Sequence, residues 1–498
     1  MSQYMELRKK WPEFIYEGYH IEETEEEIRV RYQFRIPGLS EFAPEWKFPK
    51  PSVYSGVWSV RTDGEAPYAG GSAGDCEHMA EADLNGFRED PVFRNMIFSL
   101  GMVELVSYWK ICCSPTVWVE AGCLNREQID WWKNLYYNGL GEFFYTNRIQ
   151  EADPDSFMEI RCRTSKHHEP EGERRTGRKG RPLPPLEGCL IPVGGGKDSV
   201  VTMELVKKAG MESMVYVINP RGATIHCSQA GGYGPKRQVM ASRTLDQNML
   251  RLNREGYLNG HTPFSAIVAF SSVAAAYLHR LKYVALSNES SANESTVPGS
   301  TVNHQYSKSF QFEADFNSYE RNYLHSGVYY FSLLRPLSEF QIARYFAGLE
   351  QYHQVFRSCN AGSRQDVWCG HCPKCLFVFL ILSPFLPQKK LRQMFGADML
   401  NDPSLTGTLE QLVGIQEDKP FECVGSRNEI NAAIAITIER MERDGEALPV
   451  LLRYYRQSGL FETHAHRDHG YYTYYDKENL LPDAFEKILR QECLPAKG

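Results

Sequence analysis

The stretch that decides the fold is LIPVGGGKDSVVTMELV, residues 190–206. Its apolar start predicts a buried strand, and the segment after the glycines predicts a helix that ends at Gly210. Successive glycines let the backbone approach an anion, and the first N–H groups of a helix carry partial positive charge. The lysine would add a cation, the aspartate could hold Mg²⁺ against phosphates, and the serine could donate a hydroxyl. The predicted phosphate-binding residues are Gly194, Gly195, Gly196, Lys197, Asp198 and Ser199.

This glycine loop is not a Walker A loop, because that pattern needs four residues between its first glycine and the GK pair. It resembles the SGGxDS signature of the PP-loop pyrophosphatase superfamily, whose members adenylate a substrate with ATP and release diphosphate. Gly194 stands where that superfamily usually has serine, so one phosphate-facing hydroxyl is missing. The resemblance implies an adenine nucleotide alpha hydrolase-like fold with ATP and Mg²⁺ at the loop. A glycine turn without a ligand is the alternative.

Strand and helix patterns alternate along this part of the chain. Runs of strand character lie at 189–194, 214–220, 283–289 and 328–337, and helical patterns at 263–281 and 338–348, the last with Ser338 as its N-cap. Such alternation requires right-handed crossovers, which place parallel strands side by side. The sequence therefore predicts an α/β fold, a PP-loop type parallel sheet with helices on both faces.

The N-terminal part has a different pattern. Residues 16–36 alternate apolar and polar side chains around an acidic break, as paired strands do, and residues 91–113 have helical spacing. Between Arg161 and Pro185, eight Lys or Arg accompany almost no apolar residues, which indicates a solvated linker or, alternatively, a basic flap that meets phosphates. The predicted organisation is an N-terminal α+β domain for substrate binding at 1–160, a basic linker at 161–187, an ATP-binding domain at 188–385 and a helical region at 386–498.

The composition excludes a disordered or collagen-like chain. The 498 residues are 42% hydrophobic and 23% charged, with a net charge of −7. The longest apolar stretches, 264–278 and 375–386, are shorter than the about 18 to 20 residues that a membrane span needs. The first residues are charged and lack the apolar core of a secretory signal. We therefore expect a cytoplasmic protein without a membrane segment, and the acidic balance argues against nucleic acid as a partner.

Four of the 13 cysteines lie close together in the sequence. They are Cys359, Cys369, Cys372 and Cys375. Three thiols two residues apart and a fourth ten positions earlier can converge on a tetrahedral ion, so a structural Zn²⁺ is the first interpretation. An iron–sulfur cluster and reduced free thiols are the alternatives. The spacing also resembles the zinc site of 7-cyano-7-deazaguanine synthase, itself a PP-loop enzyme, and His371 is expected to point at solvent.

Two more residues fit the superfamily. Asn219 lies at the carboxyl end of the predicted strand 214–220, where the resemblance implies contact with ribose or adenine. This agrees with the rule that open α/β sheets bind ligands outside the carboxyl ends of their strands. Arg335 lies in an RPL segment that resembles one in PP-loop enzymes. It could stabilise charge at the phosphoryl or acyl centre, although a structural arginine fits the pattern equally well.

A histidine-rich segment near the C-terminus, THAHRDHG, matches the HxHxDH metal motif of metallo-β-lactamase-fold hydrolases. That fold needs the motif early in the chain, after an apolar strand and with further ligands downstream. Here about thirty residues follow, and none is a histidine. We therefore interpret the segment as a solvated turn that could touch substrate; its residues are His464, His466, Asp468 and His469.

Several short motifs point to one family. They are GGGKDSVVT, KNLYYNGLGEFFYTNRI at 133–149, LSNESSANEST at 286–296, NHQYSKSF at 303–310, the cysteine cluster and KPFECVG at 419–425. Together they resemble the ATP-dependent UDP-N-acetylmuramoyl-L-alanyl-L-glutamate epimerases of bacterial peptidoglycan synthesis, over about residues 20–455. The resemblance implies epimerisation of the terminal L-glutamate of this small nucleotide-sugar dipeptide to D-glutamate through an acyl-adenylate, with release of AMP and diphosphate.

Adenylation would make this chemistry possible. The α-hydrogen beside a free carboxylate is hardly acidic, whereas a mixed anhydride masks the anion and lets preorganised donors stabilise an enolate. Spacing does not identify the base, and the candidates, in strand-end or loop segments, are His304 and Glu289 first, then Lys308 and Cys227. The predicted catalytic residues are His304, Glu289, Arg335 and Lys197, with Asn288 and Asn303 as possible orienting groups.

The UDP group needs aromatic and cationic surface, which the N-terminal domain could supply. The candidates there are Trp131, Trp132, Tyr136, Tyr137, Tyr145 and Arg148, most of whose aromatic side chains we nevertheless expect in the core. Two rival functions stay open at this point. One is a PP-loop enzyme that modifies a tRNA base or a free nucleobase, favoured by the cysteine cluster and the basic linker. The other is a scaffold that senses ATP without turnover.

Overall fold

One long sheet organises the molecule. The computed structural model describes residues 2–51, 86–163, 184–293, 306–420, 422 and 424–495. Its strands are β1 (Glu13–Glu23), β2 (Glu27–Ile36), β3 (Ser40–Phe42), β4 (Glu45–Pro49), β5 (Thr116–Val119), β6 (Glu159–Cys162), β7 (Cys189–Pro192), β8 (Ser213–Ile218), β9 (Gln238–Thr244), β10 (Tyr283–Leu286) and β11 (Tyr329–Ser332). They lie in the order β11-β10-β7-β8-β9-β4-β2-β1-β5-β6, and β3 pairs with β2.

The helices fill the connections and the C-terminal third of the chain. They are α1 (Gln3–Lys10), α2 (Pro91–Trp109), α3 (Arg126–Gly139), α4 (Gly141–Thr146), α5 (Lys197–Lys208), α6 (Gly222–Ala230), α7 (Gln247–Arg254), α8 (Phe264–Leu278), α9 (Phe310–Tyr319), α10 (Glu339–Ala347), α11 (Pro373–Leu382), α12 (Gln388–Phe395), α13 (Thr406–Val413), α14 (Arg427–Arg443), α15 (Val450–Gln457), α16 (Leu460–His464) and α17 (Asp483–Cys493). Within the described ranges, none has the length and apolar character needed to cross a bilayer.

Five parallel strands form the half of the sheet that carries the glycine loop. β7 is central, with β8 and then β9 on one side and β10 and then β11 on the other, all parallel. The chain therefore changes direction across the sheet between β7 and β10, and open α/β sheets bind ligands at such switch points. The glycine loop leaves β7 at this position. The predicted parallel strands are confirmed, although each ends earlier than its apolar run.

Helices cover both faces of these strands, as predicted. Along β7, Leu190 joins the core formed with α2 and α8, whereas its neighbours Cys189 and Ile191 join the core formed with α5, α10 and α11. Successive side chains of a strand point to opposite faces, so a strand covered on both faces is apolar at consecutive positions. That is why the run before the glycine loop shows no alternation.

The N-terminal strands continue the same sheet. β1 and β2 form the antiparallel pair that the alternation of residues 16–36 predicts, and β4 pairs antiparallel with β9 through Trp46 and Arg243. Beneath this junction, the buried carboxylate of Glu104 accepts hydrogen bonds from Trp46 Nε1 at 2.7 Å and Arg243 Nη2 at 2.8 Å. The N-terminal strands and the parallel strands are thus joined edge to edge by the pairing of β4 with β9, and the buried ion pair of Arg243 with Glu104 supports the junction.

The predicted basic linker falls largely outside the described residues, which omit 164–183. Its first residues, Arg161 and Cys162, complete β6 by pairing with Trp118 and Val119 of β5. Composition alone assigned them to the linker because their side chains are polar or small, but backbone pairing with an edge strand extends the sheet to Cys162.

Candidate active site

The glycine loop depends on Gly195 far more than on Gly194. Gly195 has a φ of +83°, and a Cβ atom there would lie 2.9 Å from the carbonyl carbon and the Cβ of Ala223, at the start of α6. A Cβ at Gly194 would meet no heavy atom within 4 Å. Backbone conformation and packing therefore both demand glycine at Gly195. The position where the PP-loop signature has serine has room for that side chain.

Helix α5 begins directly after the loop. Its N-cap is Gly196, which has no side chain to cap the first N–H groups of the helix. The hydroxyl of Ser199 donates to the carbonyl of Gly196 at 2.9 Å, so this serine closes the turn. The start of α5 therefore presents backbone N–H groups towards the loop, as the sequence predicts.

Lys197 is held in a buried network of charges. Its ammonium donates to Asp198 Oδ1 and to Glu339 Oε2. The side chains of Lys197 and Glu339 are 1% and 3% exposed, whereas that of Asp198 is 27% exposed. Asp198 is therefore the member of the network that a cation or substrate can reach, which fits its predicted role as a Mg²⁺ ligand.

The pKa values of the two carboxyl groups in this network are shifted in opposite directions. Burial raises the pKa of Glu339 to about 8, against the lowering effect of Lys197. Burial also opposes ionisation of Asp198, but the charges of Lys197, Lys374 and Lys308 outweigh it and lower its pKa. Despite the cost of burial, Asp198 and Glu339 raise the pKa of Lys197 above its usual value. The lysine is therefore charged, and Asp198 is its main counter-ion.

The KPFECVG segment closes over Glu339. A Cβ at Gly425 would lie 3.1 Å from Glu339 Cγ and 3.0 Å from Phe377 Cε2, so only glycine lets the segment approach so closely. Next to Glu339 in the backbone, the N–H of Phe340 donates to the carboxylate of Glu429 at 3.4 Å. One of the motifs that indicated the family thus seals the buried side of the glycine loop.

Arg335 is fully buried and bound on all sides by the protein. Its guanidinium forms an ion pair with Glu313 at 3.1 Å, donates to the carbonyl of Glu289 at 2.8 Å, and also donates to the carbonyl of Lys308. It is 0% exposed. These contacts connect the segment after β10 and the segment before α9 to the turn after β11. They fit the alternative interpretation of Arg335 as a structural residue.

The candidate bases differ in what surrounds them. Glu289 is 8% exposed at the carboxyl end of β10, and its Oε1 accepts from the hydroxyl of Ser291 at 3.1 Å. Burial raises the pKa of Cys227 to about 12, and its thiol lies 3.6 Å from the carbonyl of Gly195, so Cys227 is a poor base at neutral pH. Asn288 donates to Ser332 Oγ at 3.0 Å. His304 and Asn303 lie outside the described residues.

Asn219 uses its side chain to hold the sheet. It lies at the carboxyl end of β8 with a φ of 52°, a conformation that asparagine tolerates better than most residues. Its Nδ2 donates to the carbonyl of Arg243, and its Oδ1 accepts from the N–H of the same residue, both at 2.8 Å. Both groups of the amide are thus engaged with β9, although Asn219 lies on the ligand edge of the sheet as predicted.

The four cysteines converge as predicted. Their sulfur atoms all lie within 4.8 Å of one another, with separations of 3.9 Å for Cys359–Cys372, 3.7 Å for Cys369–Cys375 and 3.5 Å for Cys372–Cys375. Four thiolates about 2.3 Å from a tetrahedral Zn²⁺ would be about 3.8 Å apart. The cluster therefore has the size and the donor set for a zinc ion. His371 is exposed and outside it, with Nδ1 2.8 Å from the carbonyl of Cys369.

Backbone contacts connect this cysteine cluster to the glycine loop. The N–H of Arg357 donates to the carbonyl of Gly195 at 2.7 Å. A Cβ at Gly196 would lie 3.2 Å from the Cβ of Ser358, so the chain that leads into the cluster packs directly on the loop. The sequence does not reveal this contact, because Gly195 and Arg357 are 162 positions apart in the chain.

The remaining predictions had mixed outcomes. Trp132 and Tyr136 are fully buried in the core, as expected for most of the aromatic candidates, whereas Tyr145 is 46% exposed. In the histidine-rich segment, the rings of His464 and His469 stack 6.1 Å apart. Among the described residues, the four cysteines are arranged as a potential metal-binding group, and this histidine-rich segment is not.

Sequence analysis missed Glu339 and Lys374. Glu339 follows Ser338 at the start of α10, where an acidic residue is expected merely to favour the helix dipole. Lys374 lies between two predicted metal ligands. Both are charged residues in helices, α10 and α11, that bury most of their other side chains. A charged residue in such a segment was the one feature of the sequence that could have indicated them.

Comparison with known proteins identifies the family. The sequence profile of the MurL N-terminal domain matches residues 78–333, and that of the MurL C-terminal domain matches residues 355–465. A protein of Xanthomonas oryzae pv. oryzae, named UDP-N-acetyl-alpha-D-muramoyl-L-alanyl-L-glutamate epimerase, is 35% identical over 361 residues, 70% of this chain and 76% of its own. A relative of the same name from Micromonospora sp. is 33% identical over 360 residues, 71% of this chain and 77% of its own. No solved structure matches the chain. The first profile contains the glycine loop and the second the cysteine cluster, so the chain belongs to the MurL family, as its short motifs predict.

Proposed function

We propose that the protein converts the terminal L-glutamate of UDP-N-acetyl-α-D-muramoyl-L-alanyl-L-glutamate to D-glutamate, with ATP as the activating substrate. The names of its relatives support the substrate. The observation that supports the use of ATP is the glycine loop, which leaves the central strand β7 at the switch point and leads into the first turn of α5. The strand order and this loop also support a PP-loop fold for the parallel half.

Adenylation is the first step. An oxygen of the glutamate α-carboxylate attacks the α-phosphorus of ATP, the bond to the β-phosphate oxygen breaks, and diphosphate leaves. The N–H groups at the start of α5 and the ammonium of Lys197 would bind the phosphates, and Asp198, with its partly exposed carboxylate, would hold Mg²⁺. These groups stabilise the negative charge that develops on the leaving diphosphate.

Proton transfer follows on the acyl-AMP. The anhydride no longer carries the carboxylate charge, so a base removes the α-proton and the electrons move onto the carbonyl oxygen. Glu289 is our candidate for this base because it lies at the ligand edge of the sheet, and His304 is the second candidate. The electrons then return from the enolate oxygen to the α-carbon, which takes a proton from water or a second acid on its opposite face and becomes the D-centre. Water then cleaves the anhydride to give AMP and the epimerised product.

The cysteine cluster has a structural role in this proposal. Its four thiols would bind Zn²⁺, and the closed set of ligands leaves no position for substrate. Backbone N–H groups of Gly362 and Cys369 donate to the sulfur of Cys359 at 3.1 and 3.4 Å, as expected for a thiolate that binds metal. The ion would fix the chain that packs on the glycine loop.

The reaction can be tested directly. The protein is incubated with ATP, Mg²⁺ and the UDP-muramoyl dipeptide, then AMP is measured and the chirality of glutamate is determined after acid hydrolysis. We expect AMP and D-glutamate to appear together. Asp198→Asn should abolish both, whereas Asp444→Asn, the same change on an exposed surface, should abolish neither. Absence of D-glutamate with the wild-type protein would refute the proposed function, and full activity of Asp198→Asn would refute the role of the loop.

A further inference from the structure

Lys374 is part of the metal-binding segment and is buried. It lies between Cys372 and Cys375 in the first turn of α11 and is 8% exposed. Its backbone N–H donates to Oε2 of Glu422, in the KPFECVG segment, at 2.9 Å. Lysine is rarely buried unless its charge interacts with other groups, so the surroundings of its ammonium matter.

The ammonium of Lys374 lies beside the glycine loop. It is 5.2 Å from the centroid of the Phe377 ring, and the ammonium of Lys197 is 5.9 Å from the same centroid. Lys374 also interacts electrostatically with Asp198 and Glu339, the two carboxylates that bind Lys197. The ammonium groups of Lys197 and Lys374, from distant parts of the sequence, therefore both lie near the ring of Phe377, close to the start of α5.

The charges around the loop favour an anionic ligand. Three lysines and three carboxylates interact there, namely Lys197, Lys308, Lys374, Asp198, Glu289 and Glu339. Burial favours the neutral form of Glu339, which leaves a cation in excess. A nucleoside triphosphate carries several negative charges, and lysine is a usual partner of phosphate.

We propose that Lys374 is a second phosphate-binding cation for ATP, and that metal binding by the neighbouring thiols holds it in place. This inference rests on the proposed function, because it takes ATP as the ligand. The metal would fix the backbone on both sides of Lys374, since Cys372 and Cys375 each donate a thiolate to it. Loss of the metal should therefore weaken ATP binding as well as the local fold.

The test measures ATP binding by calorimetry, with Mg²⁺ and without the dipeptide. We expect Lys374→Met to weaken binding about tenfold or more, because a charge-assisted contact is lost, and Lys374→Arg to restore part of the affinity. Lys389→Met, at an exposed lysine just after α12 begins, serves as the matched control and should bind ATP normally. Elemental analysis should give an unchanged metal content for Lys374→Met, since all four thiols remain.

Removal of the metal completes the test. Chelation should weaken ATP binding by the wild-type protein and have a smaller effect on Lys374→Met, because the variant has already lost the contact that the metal positions. Wild-type affinity in Lys374→Met would overturn this inference alone, and so would equal losses in Lys374→Met and Lys374→Arg. A wild-type protein that binds no ATP would instead refute the proposed function.

Discussion

Alanine substitutions at three glycines separate the two constraints on the glycine loop. Gly195 has a left-handed backbone and a close neighbour, with a hypothetical Cβ 2.9 Å from atoms of Ala223. Gly210, after the end of α5, has a φ of +66° and no heavy atom within 4 Å of its hypothetical Cβ. Gly194 has neither constraint. Gly210 therefore has only the left-handed backbone, and Gly195 has both the left-handed backbone and the close neighbour.

The expected costs follow from these contacts. A left-handed conformation costs a residue with a side chain about 1–2 kcal/mol, which applies to both Gly210→Ala and Gly195→Ala. Overpacking costs about 1–3 kcal/mol more and applies to Gly195→Ala alone. We therefore expect a total loss of about 2–5 kcal/mol for Gly195→Ala and a change within about 0.5 kcal/mol for Gly194→Ala.

Urea unfolding monitored by tryptophan fluorescence measures these differences. The free energy of unfolding should decrease in the order Gly194→Ala, Gly210→Ala, Gly195→Ala, with similar urea dependence for all three. Gly194→Ser should resemble Gly194→Ala, since that position has space for a hydroxyl. Equal stability of Gly195→Ala and Gly210→Ala would show that the contact with Ala223 does not constrain the loop, and the reasoning from packing would be wrong.

Three further predictions concern the buried charges and the cysteines. Cys372→Ser should lose the bound metal in elemental analysis while His371→Ala keeps it, and equal metal contents would contradict the four-cysteine site. The pKa of Glu339 is raised from 4.5 to about 8 in the folded state. Its contribution to stability is therefore fully present below about pH 4.5 and is lost as the pH rises through 8. The unfolding free energy of the wild type relative to Glu339→Gln should therefore fall between pH 5 and pH 8, roughly the range of that shift, and a constant difference would argue against it. Arg335→Met should destabilise the protein by about 3–5 kcal/mol in urea, because it leaves the carboxylate of Glu313 buried without its partner, and Glu313→Gln in the same chain should recover part of the loss.

Local sequence determined much of what could be predicted. The apolar run of β7, the N-cap at Ser338 and the spacing of Cys369, Cys372 and Cys375 all depend on neighbours within a few residues, and the structure confirms each of them. The role of Asn219 is harder to predict. An amide at the end of a strand can bind a ligand or bridge to the next strand, and only the position of Arg243 shows the second.

Contacts between distant segments account for what the sequence did not predict. Glu339 becomes the partner of Lys197 only because α10 packs beside α5, and the pairing of β4 with β9 joins segments about 200 residues apart. The spacing of apolar residues along the sequence cannot predict such pairs, because it shows only which face of a single helix or strand is buried. The RPL motif drew attention to Arg335, but it does not reveal the partners of the guanidinium, Glu313 and the carbonyl of Lys308, which lie more than 20 residues earlier in the chain.

The pairing of Lys197 with Glu339 also bears on how ATP would bind. A buried ammonium needs partners when no phosphate is present. Asp198 supplies the counter-ion from the partly exposed side, and the carboxyl group of Glu339 accepts a hydrogen bond from the lysine inside the protein. In the proposed reaction, an arriving phosphate would compete with Glu339 for the same lysine. Because burial favours the protonated form of Glu339, its carboxyl group would hold Lys197 as a neutral hydrogen-bond acceptor, which is a weaker partner than a carboxylate. A buried, neutral glutamic acid would thus hold Lys197 in place before ATP binds and still leave it available to a phosphate.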